Sequence, residues 1–267
     1  MAELRDVEKL VNGLKSLKNG GREDDTASSD PSDETAESAC AADGKSSSWQ
    51  PETVFRTCVS SLADSETFGP MMAAEADQRG FYTAVKQAFL GDGLAYNWTI
   101  QRRWFPTFTA IADFVHVVEY IYTASKAIHP DVAARWQHYL AWVTACWQGR
   151  VGDVIKDLDV WQARLGPLAD GEPPPDGDPR SILQSTVTYL TNNAPRMDYP
   201  NYRRNGLPVT SSQAESLVKQ ISKRVKGTEK HWSVKGAEET LQVMTLINSE
   251  DGRWDDFWLR GPGVKVA

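Results

Sequence analysis

Apolar positions along the chain recur mostly at helical spacing, interrupted in two places by short continuous apolar runs. Leu4, Val7, Leu10, Val11 and Leu14 follow the helical period and predict an amphipathic helix over 1–18. Trp49 to Gly80 reads as largely helical, with Val54, Cys58 and Leu62 on one apolar face and Met72 and Ala76 on a later one. Phe81 to Leu90 leads into a buried strand that ends just before Asp92. Leu94 to Trp104 is a helix closed by Phe105-Pro106, because proline disfavours helix at the residue before it. Thr109-Ala110-Ile111-Ala112 is a second short strand, delivering Asp113.

A long helical stretch follows. Val115, Val118, Tyr122 and Ser125 share a face until Pro130 breaks the run. Val132 to Trp147 places Trp136, Tyr139, Leu140, Val143 and Trp147 for burial. Val151 to Leu165 stops at Gly166-Pro167, a Pro/Gly/Asp loop occupies 167–179, and Ile182 to Leu190 ends at Asn192-Asn193. No internal repeat is visible.

Composition narrows the class. The 267 residues are 40% hydrophobic and include 10 Trp, ample for a core. No apolar stretch is long enough to span a bilayer, and the N-terminus lacks the apolar region of a signal peptide. Cys40, Cys58 and Cys146 are odd in number and scattered, which fits a reduced cytoplasmic protein with no membrane partner. The net charge of -7 conceals a segregation. Glu23, Asp24, Asp25, Asp30, Asp33, Glu34 and Glu37 sit in a polar segment, so 19–48 is expected to be a disordered acidic linker. Residues 196–235 carry Arg196, Arg203, Arg204, Lys219, Lys223, Arg224, Lys226, Lys230 and Lys235 against only Asp198, Glu215 and Glu229. Such a stripe is either a phosphate-contacting surface or a solvated helix face.

Chemistry centres on carboxylates. Asp92, in Gly91-Asp92-Gly93, stands at a strand exit, and Glu215 stands near the start of a basic amphipathic helix. Acids held on rigid elements beside positive charge suit metal-dependent phosphoryl transfer. Each has a plainer alternative. Asp92-Gly93 is a common turn signal. Asp113 could cap the helix that follows it, and His116, three residues on, could be an ordinary packed histidine. Ser212-Gln213-Ala214-Glu215 fits a capping box. Phosphate-cradling, nucleophile-elbow and dinucleotide motifs are absent, and His116, His129, His138 and Cys146 lack zinc-site spacing.

Several segments, taken in order, resemble DDE-type transposases of bacterial insertion sequences, in the insertion-sequence Kra group and its Mutator-like relatives. They are Leu90-Gly91-Asp92-Gly93 with Trp98, Phe105-Pro106, Asp113 to Tyr120, Arg196-Met197-Asp198-Tyr199-Pro200, Gly206-Leu207-Pro208-Val209 and Ser212 to Lys219. The likeness continues through Lys230-His231-Trp232 to Leu241 and Arg253-Trp254, so it covers about residues 50–258. It implies an α/β, mostly helical fold: a partial RNase H-like core interrupted by an all-α insertion. On that reading 49–113 is the first part of the core, 114–195 the insertion, 196–260 the C-terminal part with the basic helix, and 261–267 a tail.

The resemblance also implies a function: DNA binding and metal-dependent cleavage and strand transfer in transposition. Asp92 and Glu215 become catalytic metal ligands, with Asp113 as the second acid of the triad or a cap. Mg²⁺ or Mn²⁺ is the expected cofactor. Arg203, Arg204, Lys219, Lys223, Arg224 and Lys226 are the expected contacts to DNA, and self-association is a further expected partnership. Such enzymes carry an earlier aspartate on a first core strand, and nothing before residue 80 reads as that strand. An N-terminally truncated chain with little strand-transfer activity is therefore expected. The alternative is a non-catalytic helical domain that binds DNA or protein.

Overall fold

The computed structural model describes residues 56–168, 174–227 and 229–260, all within the unit that spans residues 50–267. The helix expected over 1–18, the acidic linker, the tail over 261–267 and part of the 167–179 loop lie outside the described residues.

Helix α1 (Ser65–Gln78) starts where Asp64 accepts a hydrogen bond from the Thr67 amide at 2.9 Å. Strand β1 (Ala88–Gly91), helix α2 (Ala95–Trp104) and strand β2 (Thr109–Ala112) then form a β-α-β unit. The strands pair in parallel, Ala88 opposite Thr109 and Gly91 opposite Ala112, so both strands leave the sheet at the same end. A parallel pair cannot be joined by a tight hairpin, and α2 supplies the crossover. Phe89, Trp98, Phe105 and Phe108 are all buried beside this unit, with the Phe105 and Phe108 rings edge to face at 5.1 Å.

Helices α3 (Phe114–Ile128), α4 (Val132–Trp147), α5 (Val151–Leu165) and α6 (Pro179–Asn193) follow. Each packs on two of the others in a closed cycle, α3 on α4, α4 on α5, α5 on α6 and α6 back on α3. Val117, Ile121 and Ala124 make the fully buried stripe of α3 at the spacing of a core face, and Val143, Leu158, Leu183 and Leu190 meet it from the other helices. Beyond them lie α7 (Tyr199–Arg204), α8 (Ser212–Val225), α9 (Val234–Ile247) and α10 (Arg253–Arg260). The chain is thus mostly helical, and among the described residues the sheet has two short strands. No described helix is long and apolar enough to cross a membrane.

One expected element differs. Residues 56–64 are not helical, although the spacing of Val54, Cys58 and Leu62 suggested it. They run against α9 instead. The Cys58 amide donates to Ser249 Oγ at 3.2 Å, Ser60 Oγ donates to the Leu241 carbonyl at 3.1 Å, and the Glu250 amide donates to the Arg56 carbonyl at 2.7 Å. A partner distant in sequence supplies the hydrogen bonds that a helix would have supplied locally.

Candidate metal centre

Asp113 stands at the exit of β2. Its amide continues the ladder by donating to the Gly91 carbonyl at 2.8 Å, and its carboxylate caps α3 by accepting from the Val115 amide at 2.9 Å. The other carboxylate oxygen accepts from the Ser211 amide at 3.1 Å and, in a short bond, from the Ser211 hydroxyl. The Phe114 amide donates to the Val209 carbonyl at 2.9 Å, so the segment before α8 is clasped to the strand exit on both sides of Asp113. Leu207 and Val209 are buried and anchor that segment. Asp113 itself is 1% exposed.

His116 lies one turn into α3 on the same side as Asp113, as a three-residue spacing requires. Its Nδ1 is 3.6 Å from Asp113 Oδ2 and 3.8 Å from Glu215 Oε1. One donor atom from each of the three residues fits within 4.8 Å of the others. His116 Nδ1 is shielded from solvent and makes no hydrogen bond, since both carboxylates stand at ion-pair rather than hydrogen-bond distance. A buried nitrogen with no hydrogen-bond partner, flanked by two carboxylate oxygens, is a donor set that fits a divalent cation.

The electrostatics agree with the packing. The neighbouring Asp113 carboxylate is the main influence raising the His116 pKa; burial opposes it, and Glu215 and Asp92 add to the rise. Burial pushes the Asp113 carboxyl up, but His116, Ser211 and the Val115 amide outweigh it and hold the group below its ordinary value.

Glu215 occupies the first turn of α8. The capping-box alternative does not describe it. Ser211, not Ser212, is the N-cap, and its hydroxyl is turned onto Asp113 rather than onto the helix. The Glu215 amide donates to the Ser211 carbonyl at 2.9 Å, while its carboxylate faces His116. For Asp113 the two alternatives coexist: the cap and the cluster member are the same side chain.

Asp92 leaves β1 next to Asp113, because Gly91 and Ala112 are paired at the last rung of the sheet. Its Oδ1 accepts from the Leu94 amide at 2.9 Å and from Asn97 Nδ2 at 2.6 Å, so it organises the turn into α2. It lies close enough to influence His116 but stands outside the three-residue cluster.

Two buried tyrosines brace these strand exits. Tyr189 of α6 donates to the Asp92 carbonyl at 3.0 Å, and Tyr199 of α7 donates to the Ala112 carbonyl at 2.9 Å. Asn193, one turn beyond Tyr189, donates to the Gly93 carbonyl at 3.2 Å and accepts from Trp98 Nε1 at 2.8 Å. These braces and Ser211 were not read from the sequence as site residues. Their polar atoms act through contacts 87 to 100 residues away, which no local pattern records.

Of the expected DNA contacts, Lys219, Lys223, Arg224 and Lys226 are exposed on or just after α8, and Arg204 is exposed at the end of α7. Glu215, Lys219 and Lys223 recur at four-residue spacing, so positive charge leads away from the cluster along one helix face. Arg203 is engaged otherwise. Its guanidinium lies 4.1 Å from the Trp147 ring centroid and donates to the Trp147 carbonyl at 3.1 Å, joining α7 to α4. Neither a family model, nor a curated protein, nor a solved structure matches this chain.

Proposed function

We propose that the chain carries out metal-dependent phosphodiester chemistry on DNA, as the DDE-type transposases it resembles do. The observation that carries this reading is the meeting of Asp113 and Glu215 at His116, beside Asp92 and at the shared exit of two parallel strands. On this reading the β-α-β unit and α8 are parts of an RNase H-like core, and the α3–α6 block is the helical insertion. The carboxyl ends of parallel strands are where α/β proteins gather ligands.

Asp113, His116 and Glu215 would hold the ion. When bound there, a divalent ion would supply positive charge to phosphoryl oxygens and would lower the pKa of a water or 3′-hydroxyl. The chain's own residues do the rest. Ser211 and the Val115 amide fix the Asp113 oxygens, so the ligand geometry is set before DNA arrives. The lysines after Glu215 draw the phosphate backbone toward the acids. An imidazole in the donor set suits Mn²⁺ better than Mg²⁺, whose preference is for oxygen alone.

The test is titration of Mn²⁺ into the metal-free protein by calorimetry, paired with cleavage of labelled DNA in Mn²⁺. Saturable binding lost in Glu215→Gln and His116→Asn, with cleavage lost in parallel, is the expected result. Undiminished binding in both variants would remove the basis of the reading. A second reading, a helical DNA- or protein-binding domain, is favoured by the saturation of Asp113 with protein hydrogen bonds. It predicts salt-dependent DNA binding with no metal site.

A further inference from the structure

A cleft of about 640 Å³ opens between α2 and α6 beside Gly93, on the side of Asp92 toward α6. Its lining is unusual for a surface depression in an acidic protein. Arg102 and Arg196 both face it, near enough for Arg102 to help depress the Arg196 pKa, after burial as the first cause. Among the described residues neither guanidinium is paired with a carboxylate. Arg196 lies 4.4 Å from the Trp98 ring centroid and donates to the Asn192 carbonyl at 3.1 Å, while Arg102 donates to Thr99 Oγ1 at 3.3 Å. Both are therefore positioned by neutral groups. Two like charges held together without a counter-charge favour an anion between them.

Among the polar side chains of α6 the lining also carries aromatic rings. Tyr120 and Tyr189 stack with centroids 3.9 Å apart and planes 11° from parallel. Tyr189 is buried and tied to the Asp92 carbonyl, so the pair is rigid, whereas Tyr120 is only half-buried. Guanidinium groups beside a fixed aromatic pair are the chemistry that holds a phosphate together with an unstacked base.

We infer that this cleft binds one nucleotide of a single DNA strand, with its phosphate on Arg102 and Arg196 and its base against Tyr120. The inference rests on the reading of the neighbouring acids as the phosphodiester site, and it adds that the strand is unpaired next to that site. Base pairing would keep the base inside the duplex and away from Tyr120.

The experiment measures binding of a labelled single-stranded thymidine oligonucleotide to the full chain by fluorescence anisotropy, with chelator present so that metal plays no part. Wild type is expected to prefer this probe to a duplex of equal length. Arg102→Gln with Arg196→Gln should weaken it tenfold or more and reduce the salt slope by about 0.7, the value for one lost phosphate contact on a single strand. Tyr120→Ser should weaken the single strand while leaving the duplex unchanged. Arg102 is exposed, so Arg102→Gln alone, with an unchanged melting curve, guards against misfolding of the double variant. Unchanged affinity in the arginine variants overturns the inference. Equal affinity for thymidine monophosphate and the oligonucleotide also overturns it, assigning the cleft to a free nucleotide. Failure of Mn²⁺ binding with arginine-dependent strand binding intact would instead remove the metal reading and leave the cleft.

Discussion

Ser211 closes on Asp113 with two groups at once, its amide at 3.1 Å and its hydroxyl in a shorter bond, across 98 residues of sequence. That clasp fixes where α8 starts and therefore where Glu215 points. Removing the hydroxyl leaves a buried carboxylate one partner short. Ser211→Ala is expected to cost about 1.5–3 kcal/mol, the range for a hydrogen bond to a charged group. Urea unfolding of the metal-free variant measures it. A loss below about 0.3 kcal/mol would mean that the amide alone holds the clasp.

Gly93 has φ of 99°, a conformation that side-chain-bearing residues rarely adopt, and a Cβ there would run into Tyr189 and come within 2.9 Å of Asn193 Nδ2. Both neighbours are held by their own hydrogen bonds and cannot retreat cheaply. Gly93→Ala is expected to destabilise by roughly 1–3 kcal/mol through backbone strain, and to reduce protection of the Leu94 amide, which donates to Asp92. Denaturant unfolding with hydrogen exchange checks both. An unchanged midpoint would show that the turn relaxes freely.

The elements nearest the site were legible because their signals are local. Ala88–Gly91 and Thr109–Ala112 are short apolar runs ended by an acid, and Pro106 and Pro130 mark helix boundaries in their vicinity. Asp92, Asp113 and Glu215 could be named because carboxylates at strand exits and helix starts are conspicuous in sequence. In sequence His116 is indistinguishable from a packed histidine, because its meaning depends on Glu215, 99 residues away. The capping box at Ser212 failed for a related reason: the hydroxyl that would cap the helix belongs to Ser211 and is claimed by a distant acid. Arg203 looked like its neighbours in charge, yet Trp147 captures it. Composition cannot tell a cation spent on packing from one left for a ligand.

The exposed charges on α8 should act as a set. Neutralising Lys219, Lys223 and Arg224 to Gln is expected to weaken duplex DNA binding and flatten its dependence on salt. At roughly 0.9 per phosphate contact, the logarithmic slope should fall by up to about 2.7. Anisotropy titrations between low and moderate salt give the slope. Because all three side chains are exposed, the folded state should melt as wild type does, and a retained slope would assign these residues to solvation of the helix.

A pH effect is expected far from the acids. At the corner between α3 and α4, His129 Nε2 lies 3.0 Å from His138 Nδ1, and His138 Nε2 lies 2.8 Å from Asp157 Oδ2. With Asp157 ionised and also accepting from Trp142 Nε1 at 2.8 Å, the chain of donors runs one way: His129 to His138 to Asp157. Burial first, and then His138 and Arg135, lower the His129 pKa below its ordinary 6.5. A depressed histidine favours the fold while neutral, so its contribution is complete above about 6.5 and fades as pH falls through the lowered value. His116 carries the opposite sign: its raised pKa contributes below its ordinary value and fades as pH rises. The two are separated by subtracting profiles. Melting temperatures of wild type and His129→Gln, measured from pH 8 to pH 5 with chelator, should differ most above pH 6.5 and converge in acid. A difference that grows toward low pH would mean that His129 is charged in the native corner and that the hydrogen-bond chain runs the other way.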